Sequence, residues 1–155
     1  VAKRLAYVLA GASVLLQHTP TSARLRADTE FGEIEWEGPL SLFAVCNGMT
    51  VGGGRPLAPE ASVSDGLLDV FFVRDVSTTS LAALLLKMGR GAHLEDDRVI
   101  GFRARSLSFE FAGPTPVNVD GEVAEVERAV YRVHHHATRI LMPDMTAADA
   151  AARAD

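Results

Sequence analysis

The 155-residue sequence contains one cysteine, Cys46, which excludes an internal disulfide and fits a reducing compartment. It has no basic surplus: the formal net charge is −5, and the basic stripe of a nucleic-acid binder is missing. Leu5 to Leu16, behind Lys3-Arg4, mimics the basic and apolar regions of a signal peptide but is too short to span a bilayer. No Gly-x-x-x-x-Gly-Lys-Ser/Thr motif occurs, which disfavours a P-loop kinase, and an actin-like kinase is disfavoured too. There is no internal repeat, no heptad run and no long low-complexity tract. The first residue is Val1 rather than Met, so the sequence is expected to begin inside a longer polypeptide.

What is present is globular. Hydrophobic residues make up 48% and charged residues 23%, and the length suits one domain with a real core. Leu5, Val8, Leu9, Ala12, Leu15 and Leu16 fall at helical spacing, so residues 1–20 are expected to form a protein-packed amphipathic helix and a linker. His18 to Ser22 is a breaker segment. Ala23, Leu25 and Ala27 then alternate with Arg24, Arg26 and Asp28, and Ile34 and Trp36 alternate with Glu33, Glu35 and Glu37. Both runs have the period of half-exposed strands, and Thr29 to Gly32 would join them as a hairpin with arginine–glutamate pairs across it. Leu40 to Cys46 and Leu67 to Val73 are more continuously apolar, as central strands are. Cys46 lies in such a strand and reads as a small buried hydrophobe.

Residues 47–66 read as a long Gly- and Pro-rich loop, a length that is usually functional or disordered. Ser77 to Ser80 offers several N-caps to a helix with Leu81, Leu84, Leu85 and Met88 on one face, stopped by Gly89 or Gly91. His93, just beyond, reads as a C-terminal capping residue. Phe102, Leu107, Phe109, Phe111, Val117, Val119, Tyr131, Val133, Ile140 and Met142 mark several more short strands, with His134 to His136 as solvated strand residues. In a strand only His134 and His136 would share a face. The whole predicts a mainly β fold, a two-layer antiparallel β-sandwich over residues 21–143 with an N-terminal helix and one amphipathic helix. Residues 144–155 are expected to be a frayed tail.

Two constellations carry chemistry. One is Val117-Asn118-Val119-Asp120-Gly121-Glu122, where a strand ends in an Asp-Gly turn flanked by a second carboxylate. A carboxylate held at such an edge can accept a proton or bind a metal. The other runs through Asn47-Gly48, Gly52-Gly53-Gly54, Ala58-Pro59 and Asp65-Gly66-Leu67-Leu68-Asp69. Successive glycines let a backbone approach a ligand closely. Taken alone, Asp-Gly is an ordinary turn and a Gly-rich stretch is a flexible connection.

Together and in this order, the motifs resemble the C-terminal domain of the bacterial diacylglycerol kinase and lipid kinase family, which includes the sphingosine-kinase-like enzymes. The family's Gly-Gly-Asp-Gly nucleotide loop does not occur here. The resemblance implies phosphoryl transfer from ATP to the hydroxyl of diacylglycerol or a similar lipid. It implies Asp120 as the base, with Glu122 positioning it or a magnesium-bound water. It implies Asn47, Gly52, Gly53 and Gly54 near the acceptor or phosphate site. It further implies a structural Mg2+ held by the Asp65 side chain and the carbonyls of Ser62 and Leu67. ATP would be held by the protein's own N-terminal domain, leaving this chain the acceptor-side wall, a lipid-binding hollow in the sandwich, and no activity by itself. Asp69 would face solvent from its strand. The expected setting is cytoplasmic and peripheral to the membrane, with transient membrane contact, no nucleic acid, and a homodimer allowed. Two alternatives remain open: a non-catalytic lipid-binding sandwich, and a related kinase acting on a sphingoid base or NAD.

Overall fold

The computed structural model describes residues 19–51, 54–88 and 91–139. The expected N-terminal helix, Gly52, Gly53, Gly89 and the tail from 144 lie outside the described residues. The elements in order are β1 (Thr21–Thr29), β2 (Gly32–Cys46), β3 (Thr50–Val51), β4 (Arg55–Pro56), β5 (Leu68–Arg74), α1 (Thr78–Met88), β6 (Val99–Val119) and β7 (Glu122–Arg132). The fold is mainly β and antiparallel, as the alternating patterns predict.

The period-2 pattern places β1 directly. Ala23, Leu25 and Ala27 point inward and are 3%, 0% and 5% exposed, while the intervening Arg24, Arg26 and Asp28 face out. The β1–β2 register ends at the pair Thr29↔Gly32, the hairpin end read from the sequence. Thr29 closes it: its Oγ1 donates to the Gly32 carbonyl at 2.6 Å and accepts the Phe31 amide at 3.1 Å. The arginine–glutamate pairs form as expected, Arg24 to Glu37 at 2.7 Å and Arg26 to Glu35 at 3.0 Å. All four side chains are water-facing, so each pair contributes ~0.2–1 kcal/mol.

The layers of the sandwich are one sheet bent round on itself. β2 pairs with β1 through Gly32 to Leu40 and with β5 through Leu40 to Cys46. β6 pairs with β5 over Val99–Ala104 and with β1 over Ala104–Phe111. The ring β1-β2-β5-β6 therefore closes, and β7 continues it from β6. Both changes of partner fall at buried residues, Leu40 and Ala104, beside register shifts. A strand that serves two layers must bend, and it bends at such corners.

Inside the ring, Phe43 meets Phe109 at a tilt, 4.4 Å between centroids, and Phe111 lies parallel to Phe109 at 5.9 Å. Leu25, Val70, Val73 and Phe109 are all under 2% exposed or close to it, and each such burial contributes ~1.5–3 kcal/mol. Leu25, Val70 and Phe109 belong to the core cluster inside the ring. The several short strands expected after the helix are corrected. Residues 99–119 form one strand that runs through Gly113-Pro114. Proline has no N–H for the ladder, and here the β6–β7 register jumps between Glu110 and Thr115.

Helix α1 is capped by Ser77. Its Oγ accepts the Ser80 amide at 3.3 Å and its carbonyl accepts the Leu81 amide at 2.9 Å. Leu81 and Leu84 are buried, and Leu85 and Met88 half-buried, on the predicted face. The turn after the helix is organised by Asp96. Its two oxygens take Lys87 Nζ at 2.6 Å and the Arg98 guanidinium at 2.7 Å twice over. These cationic hydrogen bonds hold the carboxyl well below the usual carboxylate range.

Candidate functional site

The two constellations stand at opposite ends of β6. Asn47 follows Cys46, which pairs with Asp69, which in turn pairs with Arg103. The Asp65 turn leads into Leu68, opposite Ala104. Asp120 lies at the far end of the same strand. At ~3.3 Å per residue, the extended path from Ala104 to Asp120 is on the order of 50 Å before the bulge shortens it. The structure therefore gathers Asn47, Ser62, Asp65 and Leu67 at one end and leaves Asp120 and Glu122 at the other.

At the first end, the stretch read as a bare loop contains structure. β3 and β4 pair through Thr50↔Pro56 and Val51↔Arg55 around Gly54, whose φ is +80°. Among the described residues a Cβ at Gly54 would meet nothing within 4 Å, so its glycine serves the turn. The Met49 carbonyl accepts the Leu57 and Ala58 amides at 3.0 and 3.1 Å. Asn47 is exposed beside this small hairpin.

The Asp65 carboxylate caps its own turn, with Oδ1 accepting the Leu67 amide at 3.0 Å. Ser62 and Ser64 meet through their hydroxyls at 3.2 Å. Leu67 is buried and anchors the exit into β5. The turn borders a cleft of about 350 Å³ whose other walls include Glu30, Arg105, Val133 and His135. As a magnesium site this offers one carboxylate with hydroxyl and carbonyl oxygens, the hard donors that ion takes. Among the described residues no three His, Cys, Asp or Glu side chains converge as a metal cluster. Glu30 shares the cleft with Asp65, but its carboxylate pairs with Arg103 at 3.2 Å.

Asp69 departs from its expected solvent-facing place. It is half-buried and its Oδ2 is shielded without a hydrogen-bond partner among the described residues. Burial raises its affinity for a proton, the Asp65 charge adds to this, and Arg103 opposes it. The neighbouring Cys46 thiol is pushed up to about 11 by burial first and the Asp69 carboxylate second. It is a neutral, inert thiol at ordinary pH.

At the other end, Asp120 and Gly121 are the two central residues of the β6–β7 hairpin, closed by the pair Val119↔Glu122. Both have positive φ, +51° and +103°. That is the type I′ geometry, in which Asp-Gly is favoured because it matches strand twist. Asn118 supports the turn by accepting the Gly121 amide on Oδ1 at 2.8 Å. The alternating burial of β6 persists to Val117 and then stops: residues 118–125 are exposed on both faces. Among the described residues neither the Asp120 nor the Glu122 carboxylate enters an ion pair. The turn thus holds two free carboxylates at the tip of a projecting arm.

Two histidines that the sequence placed elsewhere also reach the first end. His93 is not a helix cap: it is 3% exposed, its Nε2 lies 2.9 Å from the Leu57 carbonyl, and its ring meets Phe71 edge-on. His135 is not in a strand, because β7 ends at Arg132. Its Nε2 lies 2.9 Å from the Ser64 carbonyl, and its ring lies against that of His136, 3.7 Å between centroids and tilted by 32°. The strand rule that neighbouring side chains diverge does not govern this turn. No local signal could have found either contact, since the partners are 36 and 71 residues apart.

The same architecture is found in known proteins. A crystal structure of a diacylglycerol kinase from Bacillus anthracis str. Sterne aligns with a TM-score of 0.54 at 19% identity, over 79% of this chain and 44% of its own. At that identity the likeness is one of fold. Among curated relatives, a probable lipid kinase YegS-like of Stenotrophomonas maltophilia is 35% identical over 80% of this chain and 39% of its own length. The diacylglycerol kinase of Bacillus subtilis is 28% identical over 77% of this chain and 38% of its own length. The chain thus spans about two fifths of the length of these relatives. The model of the YegS C-terminal NAD kinase beta sandwich-like domain matches residues 1–142. With the motifs, the bent sheet and this match in agreement, the chain belongs to the YegS C-terminal domain family.

Proposed function

We propose that this chain is the acceptor-side domain of an ATP-dependent lipid kinase that phosphorylates the hydroxyl of diacylglycerol or a similar lipid. The observation that carries the reading is the β6–β7 tip. It presents Asp120 and Glu122 unpaired and clear of the barrel, on a chain related to proteins named lipid and diacylglycerol kinases. A general base must stand within hydrogen-bond reach of the hydroxyl it deprotonates. A carboxylate on an exposed arm can meet a substrate held by a second domain.

In this reading the acceptor hydroxyl donates a hydrogen bond to Asp120. Its proton passes to that carboxylate as the oxygen bonds to the γ-phosphorus and ADP departs. Glu122, two residues on, orients Asp120. Phosphoryl transfer depends on alignment and charge neutralisation more than on covalent help from the protein. The nucleotide is held outside this chain, which lacks the family's nucleotide loop, so the isolated domain is inactive. Asn47 and the glycines at 52–54 shape the acceptor or phosphate side. A bound magnesium at Asp65 would supply structural cross-linking, with Asp65 and the oxygens of Ser62 and Leu67 as its ligands. The setting is the cytoplasmic membrane surface, where such a lipid resides. Among the described residues no helix is long and apolar enough to cross a membrane.

The test is phosphate transfer from labelled ATP by the full-length protein with diacylglycerol in mixed micelles. A sphingoid base and NAD serve as rival acceptors, the latter because the family name points to NAD kinase likeness. Preference for diacylglycerol supports the proposal, and transfer to NAD alone would replace it.

A further inference from the structure

The connection from Asn47 to Leu67 is held internally by short-range bonds: Met49 to Leu57 and Ala58, Ala58 to Ala61, Ser62 to Ser64, and Asp65 to Leu67. Among the described residues, two hydrogen bonds reach it from outside, and both come from histidines. His93, in the connection between α1 and β6, meets the Leu57 carbonyl. His135, just past β7, meets the Ser64 carbonyl. A carbonyl oxygen only accepts, so each imidazole carries its proton on Nε2.

We infer that His93 and His135 are positioning residues that clamp the two halves of this connection, one beside the small β3–β4 hairpin and one beside the Asp65 turn. The two clamps differ in setting. His93 is buried against Phe71, and its Nδ1 is shielded with no partner among the described residues, so the ring is tolerated there for what Nε2 does. His135 is exposed, but its ring lies over Gly66. A Cβ at that glycine would come within 3.0 Å of His135 Cγ, and Gly66 has a φ of +76°. Glycine thus meets two demands at once, a left-handed turn and room for the imidazole. Val133 is fixed first, its amide bonded to the Arg105 carbonyl at 3.1 Å, so the segment bearing His135 leaves the barrel in a set direction.

The consequence for the candidate site is specific. His135 fixes the carbonyl next to Asp65, and through it the turn that aims the Asp65 carboxylate. His93 fixes the end nearer Asn47. The link to magnesium rests on the reading of Asp65 as a metal ligand; the clamping itself does not.

The test compares His93→Phe, His93→Gln, His135→Phe and His135→Gln in the full-length protein. Phenylalanine keeps a ring and removes the donor, whereas glutamine returns an amide N–H near the place of Nε2. Amide hydrogen exchange is followed at Leu57–Ala58 and at Leu67. His93→Phe should speed exchange at Leu57–Ala58, and His135→Phe at Leu67, each about two- to tenfold, the worth of one hydrogen bond. The glutamine variants should restore most of the protection. Unchanged exchange in both phenylalanine variants overturns the inference. Equal acceleration by phenylalanine and glutamine also overturns it, because packing and not the hydrogen bond would then hold the connection.

A magnesium titration of thermal unfolding separates this inference from the metal reading. His135→Phe should raise the magnesium midpoint by a factor similar to its exchange effect, and His93→Phe should not. If Asp65→Ala abolishes the magnesium response while His135→Phe keeps the wild-type midpoint, the claim that His135 aims the Asp65 carboxylate falls and the metal reading stands. If neither wild type nor Asp65→Ala responds to magnesium, the metal reading falls and the exchange results alone decide the clamps.

Discussion

The same dipeptide closes two turns in this molecule and is used in opposite ways. At Asp65-Gly66 only the glycine has positive φ, and the aspartate carboxylate accepts the Leu67 amide. At Asp120-Gly121 both residues have positive φ, and the supporting bond comes from Asn118, which accepts the Gly121 amide. The first carboxylate is part of the turn. The second is relieved of that duty by its neighbour and stands free. An Asp-Gly pair therefore marks a turn reliably, but only the surrounding hydrogen bonds reveal whether the acid is available for chemistry.

The sharpest way to break this comparison is Asp120→Asn in the full-length protein. Asparagine suits a left-handed turn position as well as aspartate does, so melting should be unchanged. Phosphate transfer should fall by ~10²–10⁴-fold, the usual loss of a general base. Near-normal turnover would make Asp120 a turn residue only.

A third carboxylate sets the other extreme. Asp96 is almost wholly buried and paired on both oxygens, and its protonation is suppressed. A group whose folded-state value is depressed adds stability above its unfolded value, about 3.9, and loses it as the pH falls further. Acid unfolding below about pH 4 should therefore be steep in wild type. It should flatten in Asp96→Asn, which is less stable at neutral pH, as followed by circular dichroism. An unchanged acid limb would show that the pairing contributes nothing to folding.

Asp65 calls for two substitutions. Asp65→Asn retains a side-chain oxygen for the Leu67 amide and should melt like wild type while losing any magnesium-dependent rise. Asp65→Ala removes the bond as well and should cost about 1 kcal/mol in addition. Equal melting of the two variants would contradict the turn role. The smallest effect is expected for Asn118→Ala, about 0.5 kcal/mol at an exposed site. Its informative readout is activity, which should drop with little change in Tm if the asparagine keeps Asp120 in place.

Some of this was legible in the chain. The β1–β2 hairpin, its cross-strand charge pairs, the Ser77 cap and the apolar face of α1 follow from period and local chemistry. Such patterns tell which face a residue occupies but not which strand lies beside it. The change of partner at Leu40 falls where the alternation gives way to a continuously apolar run, though nothing there names the new neighbour, and the change at Ala104 left no mark in the alternation. Neither did the continuity of β6 through Gly113-Pro114, where several short strands were expected. At the site, the motifs named Asp65 and Asp120 but not their separation along β6, nor the two histidines. Those contacts depend on how distant segments meet, which no local window contains.

The closed ring also sets an order of events for a chain leaving the ribosome. The hairpin of β1 and β2 joins near neighbours and can form early, but Ala23 must wait for Phe111 before the ring shuts. Until then β1 has one unpaired edge, as does β5 before β6 arrives, and open edges invite pairing with other chains. Late, long-range closure predicts slow folding for the size of the domain. A polypeptide interrupted before Ala104 would keep both edges open and be prone to aggregation, whatever the fate of its candidate-site residues.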